Sequence, residues 1–160
     1  MKLILTLTFI LILSRTNGQQ YSSIDSIENP KVVALVNDLF RHVDANNVDS
    51  LSQLSCKEIY CILCFVTPDT QGLPYMLTRE TFYNLHYNRL ELKRLFERAR
   101  KSKEIIVTSQ NDEFNRSNII VLFTIYKKDE LALGHEGGQL GLYLKLEGGE
   151  LKFSGIEIIP

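Results

Sequence analysis

The sequence predicts an α+β domain in which three N-terminal helices, with one strand among them, precede a four-strand antiparallel meander. Three observations carry this prediction. Val32, Leu35, Val36, Leu39, Phe40 and Val43 form an apolar stripe at helical spacing. Leu140, Leu142, Leu144 and Leu146 alternate with Gly141, Tyr143 and Lys145, the two-residue period of a strand. Glu147–Gly148–Gly149–Glu150 then reads as a two-glycine hairpin turn between two such runs.

Ahead of the domain, residues 1–18 read as a secretory signal peptide. Lys2 supplies the positive start, Leu3 to Leu13 is an uncharged apolar run, and Ser14 to Gly18 turns polar. A membrane span needs about 20 apolar residues, so an uncleaved anchor is the disfavoured alternative. Thr16 and Gly18 suit a small-residue cleavage site that leaves Gln19 first. Residues 19–29 form a polar lead-in and residues 30–160 the folded domain, long enough to bury a full core. Taking Lys2 and Arg15 from the 18 basic residues leaves 16 against 19 acidic ones, and the net charge moves from −1 to −3. That balance suits a soluble extracellular protein and gives no support for nucleic acid or anionic membrane as a partner.

Within the domain, Asn29 caps the first helix and Pro30 occupies its first position, while Asn46–Asn47 stops it. A short second helix is expected over Asp49 to Leu54, capped by Asp49 or Ser50. Glu58 to Val66 reads as a buried strand bounded by Thr67–Pro68–Asp69. Thr70 to Leu77 reads as a loop. Thr78 then caps a third helix whose Phe82, Leu85, Leu92, Leu95, Phe96 and Ala99 form one stripe. Lys103 to Asn111, Ser117 to Lys127, Gln139 to Glu147 and Glu150 to Ile159 read as the meander strands.

The three cysteines, Cys56, Cys61 and Cys64, lie within nine residues. On a strand Cys61 and Cys64 point to opposite faces, and Cys56 and Cys64 are about 26 Å apart. A disulfide needs Cα atoms within about 7 Å. The expectation is therefore no disulfide within the strand, with the thiols mostly buried or one of them paired between chains.

The order of elements, together with Leu39–Phe40, the junction Ala45 to Leu54 and the run Thr78–Arg79–Glu80–Thr81–Phe82, resembles the nuclear transport factor 2-like fold. The similarity is to secreted single-domain members of the kind abundant in nematodes, over about Pro30 to Pro160. It implies a conical sheet wrapped around the long helix with an apolar pocket between them, and a homodimer through the sheet face. Enzymes that share the fold, such as ketosteroid isomerase and scytalone dehydratase, place Asp, His or Tyr inside the cone for general acid–base work. Family members often carry an acid directly after the second helix, where this chain has Ser55–Cys56–Lys57. A cystatin would not need the two additional helices, and a lipocalin would need eight strands.

Candidate catalytic residues are His86 and Tyr83 from the third helix and Tyr60 from the strand, with core packing as the ordinary alternative for both tyrosines. His42 falls on the polar side of the first helix, and His135 lies in a glycine-rich turn expected to be exposed. Three dispersed histidines do not form a metal-ligand set, so no metal and no cofactor are expected. Cys61-x-x-Cys64 sits mid-strand in this reading and is assigned to the core, not to redox work. Gly134 to Gly138 is no phosphate loop, because no lysine follows and no helix opens there. Asn115–Arg116–Ser117 is an N-glycosylation sequon. The function expected is a secreted non-enzymatic module that binds a small hydrophobic ligand or a protein partner. The alternative is a small extracellular lyase or isomerase.

Overall fold

The computed structural model describes residues 18–64, 75–111 and 117–160. The apolar run of the signal peptide, the boundary Thr67–Pro68–Asp69 and the Asn115 sequon lie outside the described residues. Among the described residues seven strands form one mixed sheet: β1 Gln19–Tyr21, β2 Ser55–Cys61, β3 Met76–Thr78, β4 Ile105–Asn111, β5 Ser117–Tyr126, β6 Gly138–Glu147 and β7 Glu150–Ile159. Their order across the sheet is β1-β4-β5-β6-β7-β2-β3. Neighbours are antiparallel except β2 and β7, which run parallel. Among the described residues four α-helices accompany them, α1 Pro30–Asp44, α2 Val48–Gln53, α3 Arg79–Thr81 and α4 Leu92–Arg100. This overturns the expected three helices with one strand followed by a four-strand meander. The nuclear transport factor 2-like cone that the resemblance implied is replaced by the larger mixed sheet.

Each departure has a local cause. Residues 19–21 show no alternation, yet Gln20 pairs with Ile106 and makes a three-residue edge strand on β4. Met76–Thr78 does the same on β2, where Tyr60 faces Met76. The long third helix is broken. After α3 the chain winds a π-helical turn over Phe82–His86, in which Tyr87 N–H reaches back to Phe82 O, and then a 3-10 turn over Tyr87–Arg89. Glu91 follows with φ 46° before α4 begins. The i→i+5 bond of a π turn shifts the phase of the side chains. Leu85, placed on the stripe by a continuous helix, is therefore 58 % exposed, while Tyr83 and Tyr87 turn inward.

Most signals that act over a few residues hold where they were read, the cap of α2 excepted. The Asn29 side chain accepts from Lys31 N at 3.1 Å and Val32 N at 3.4 Å, and all six stripe residues of α1 are buried. Asn47, not Asp49 or Ser50, caps α2, accepting from Ser50 N at 3.0 Å. Between β6 and β7, Gly148 and Gly149 take φ of 64° and 85°, the left-handed pair that a tight hairpin demands.

The helices cover one face of the sheet. Phe40 of α1 packs on Phe96 of α4 at 5.0 Å and on Phe123 of β5 at 5.7 Å between ring centroids. Leu140, Leu142 and Leu144 present the same face of β6 to this cluster. Arg100 pairs with Asp44 and lies over the Phe40 ring at 5.0 Å, tying α4 to α1. Between the helices and the sheet these aromatic rings interlock. No described helix is long and apolar enough to cross a membrane.

Candidate functional site

The opposite face of the sheet carries two rows of cross-strand partners. One runs Ile106, Leu122, Gly141, Glu157 across β4, β5, β6 and β7. The other runs Thr108, Ile120, Tyr143, Gly155, Tyr60, Met76 from β4 to β3. Since successive side chains alternate between faces, these rows share the side away from Leu140, Leu142 and Leu144.

Where the rows meet, two phenols converge on one carboxylate. Tyr60 Oη donates to Glu157 Oε2 at 3.1 Å, and Tyr143 Oη donates to Glu157 Oε1. The Tyr60 ring stands edge-on to Tyr143 at 5.3 Å and to Tyr75 at 6.3 Å, the preferred geometry for aromatic pairs. Two glycines make this arrangement fit. A Cβ on Gly155 would fall 2.7 Å from Tyr60 Cβ, and one on Gly141 would fall 3.3 Å from Glu157 Cγ. Tyr60, Tyr143 and Glu157 are all half-buried. Burial first, then the hydrogen bond and charge of Glu157, hold the Tyr143 phenol well above its ordinary range.

A bulge adjoins the cluster. On β7, Phe153 pairs with Leu144 and Gly155 with Tyr143, so Ser154 is an additional residue between them. Its hydroxyl is buried and has no hydrogen-bond partner among the described residues. The β2–β7 pairing is irregular at the same level, between Ser55 and Tyr60.

The structure separates the three candidate catalytic residues. Tyr60 lies on this open face. Tyr83 lies in the core on the helix side, its hydroxyl 2.7 Å from Ser55 Oγ. Ser55 spends its own proton on Leu51 O at 2.7 Å, so Tyr83 is the donor. Burial holds the Tyr83 phenol far above its usual value. His86 is half-buried at the end of the π turn. His42 is half-buried, and its Nε2 is 3.3 Å from Arg41. His135 is half-buried where exposure was expected, because its Nδ1 accepts from Gly137 N at 3.0 Å and shapes the β5–β6 loop.

The cysteines also differ from expectation. β2 ends at Cys61, and a 3-10 turn over Ile62–Cys64 folds the chain back, bringing the two Cα atoms to 5.4 Å. Cys61 and Cys64 form a disulfide, and Cys56 is a buried free thiol. The inference of no internal disulfide assumed an extended chain through Cys64, and that assumption fails.

A cleft of about 1320 Å³ opens at one end of the sheet beside Arg98, Lys103, Thr124, Tyr126 and Lys127. Its central cation is already committed. Arg98 Nε donates to Ile125 O at 2.6 Å, the guanidinium lies over Tyr126 at 4.3 Å, and it pairs with Glu130. Glu130 is held below its ordinary range by the Lys127 backbone N–H, then by Arg98. Among the described residues no cluster of three metal-ligating side chains occurs.

Sequence reading missed Glu157, Tyr143 and Ser154. The available signals were Gly141 and Gly155, glycines inside strands that mark close approach, and a lone acid in the apolar run Ile156–Glu157–Ile158–Ile159. The fold and site together define an α+β domain with one sheet face covered by helices and, among the described residues, the other left open. No family model, curated protein or solved structure matches the chain.

Proposed function

We propose that this chain is a secreted, non-enzymatic binding module that takes a small apolar-bodied ligand on the open face of its sheet. The observation that carries the reading is the division of labour between the faces. The helix side is filled by Phe40, Phe96 and Phe123, while the other side leaves Ile106, Leu122, Tyr60 and Tyr143 half-exposed around Glu157. Chemistry at the cluster also points to binding. General acid–base work is favoured by a pKa near the operating pH, whereas the Tyr143 phenol is moved away from neutrality. Secretion is supported by Lys2, the run Leu3 to Leu13 and Gly18, and it makes Asn115 a glycan acceptor.

The test is native mass spectrometry of protein secreted from eukaryotic cells, comparing the natural chain with Leu122→Lys. A ligand mass on the natural chain that is lost from the variant supports the reading. The same adducts on both chains, or none on either, overturn it. A bound second polypeptide in place of a small molecule also overturns the ligand assignment. The first residue of the secreted chain, expected to be Gln19, reads out the signal peptide in the same experiment.

A further inference from the structure

We infer that the ligand of the open face carries an organic cation, an ammonium or guanidinium group seated at Glu157, with its apolar body lying over Leu122 and Ile106. This rests on the sheet-face reading above and adds the chemistry of the ligand.

Glu157 is the starting point. Its carboxylate accepts two phenol protons, and among the described residues no lysine, arginine or histidine pairs with it. An ionised carboxylate has about four acceptor positions, and two donors leave the others open. Phenol dipoles offset part of its charge but do not neutralise it. A half-buried charge without an opposite partner is costly, and that cost is removed by a cation that arrives with the ligand. Five more exposed acids elsewhere in the fold, Asp38, Asp44, Glu91, Glu130 and Glu150, each pair with a basic side chain.

The surroundings select the kind of cation. Tyr60 and Tyr143 flank the carboxylate, and electron-rich aromatic faces favour organic cations. One carboxylate provides too few anionic oxygens for a divalent metal. The row that ends at Glu157 sets the rest of the ligand. Going across the sheet from Glu157 come Gly141, which has no side chain, then Leu122, then Ile106. With strands about 4.8 Å apart, Leu122 lies about 10 Å from Glu157 and Ile106 about 14 Å. The space above Gly141 is filled by Glu157 Cγ, Leu122 Cδ2 and Tyr143 Cε2, all within 3.7 Å of where a Cβ would sit, so the charged and apolar side chains lie side by side on the sheet. The geometry is that of a receptor for an amphiphilic amine.

The experiment titrates the folded protein with octyltrimethylammonium, 1-octanol and octanoate, all below their micellar range, and follows backbone amide shifts and affinity. The cationic probe is expected to bind at least about tenfold more tightly than the alcohol, and octanoate most weakly. Glu157→Gln is expected to bring the cation down to the level of the alcohol, and Leu122→Lys to weaken both. Unchanged 1-octanol binding by Glu157→Gln guards against a variant that folds poorly. Equal binding of cation and alcohol, or a cation affinity unmoved by Glu157→Gln, overturns the cation assignment while leaving the sheet-face reading standing. Failure of all three probes to shift residues of the two rows overturns both.

Discussion

Gly155 and Tyr60 sit opposite each other across the parallel β2–β7 pair so closely that a Cβ on the glycine would fall 2.7 Å from Tyr60 Cβ and 2.8 Å from Tyr60 O. The obstacle is partly backbone, which cannot swing aside as a long side chain can. Gly155→Ala is therefore expected to destabilise the fold by about 1–3 kcal/mol, the usual cost of overpacking. It should also displace Tyr60 from Glu157. Denaturant unfolding measures the first effect and tyrosine ring shifts the second; a variant as stable as the parent would show that the strands separate freely here.

Removing either end of the Tyr83–Ser55 hydrogen bond is expected to have unequal costs. Ser55→Ala leaves the buried Tyr83 hydroxyl with a proton and no acceptor, a loss of about 1–3 kcal/mol. Tyr83→Phe removes the donor and leaves Ser55 still bonded to Leu51 O, a loss nearer ~1 kcal/mol. Equilibrium unfolding of the two variants should rank them in that order, and the reverse ranking would contradict the donor assignment.

Cys56 predicts both a thiol count and a pH dependence. Alkylation of the unfolded, unreduced chain should label Cys56 alone, and all three cysteines only after reduction. Burial first, and then Glu147, pushes the folded thiol up to about 11 from 9.0. As pH rises past 9.0 the unfolded chain releases this proton while the folded chain keeps it. Stability from this group is therefore complete below that point and falls as pH climbs to about 11, by on the order of 2 kcal/mol. Unfolding midpoints at about pH 8 and about pH 10.5 should fall less steeply for Cys56→Ala than for the natural chain; parallel slopes would rule the effect out.

Ser154→Ala is expected to leave stability unchanged or raise it by on the order of 1 kcal/mol, because the ligand-free fold gains nothing from a buried hydroxyl without a partner. Thermal unfolding checks this. A loss of stability would mean that Ser154 has a bonding partner in the folded protein.

Legibility in the sequence followed the range of the forces involved. Asn29, Pro30 and the α1 stripe act within a few residues of one another, and the hairpin at Gly148–Gly149 is a local backbone requirement. These could be read directly. β1 and β3 are three residues each and owe their existence to a neighbouring strand, so no periodicity announces them. The π turn at Phe82–His86 changed the phase of a stripe that looked continuous. The Cys61–Cys64 bond depended on where β2 stopped. The candidate site was hidden for a related reason. Whether Glu157, Tyr143 and Tyr60 share a face is decided by the register of three strands and the bulge at Ser154, and a one-residue slip would send Glu157 to the other side.

The two three-residue strands at the rims, β1 and β3, have a consequence for self-association. A sheet whose face is sticky and whose edges are long and bare is an aggregation hazard, since each edge can template another chain and growth has no end. Here both rims close on strands too short to offer a run of free main-chain donors and acceptors. Fibril-like growth through the backbone is thereby blunted. Contacts made through a sheet face rely on side chains and end once that face is covered, so on the proposed function binding there would not seed backbone-templated growth.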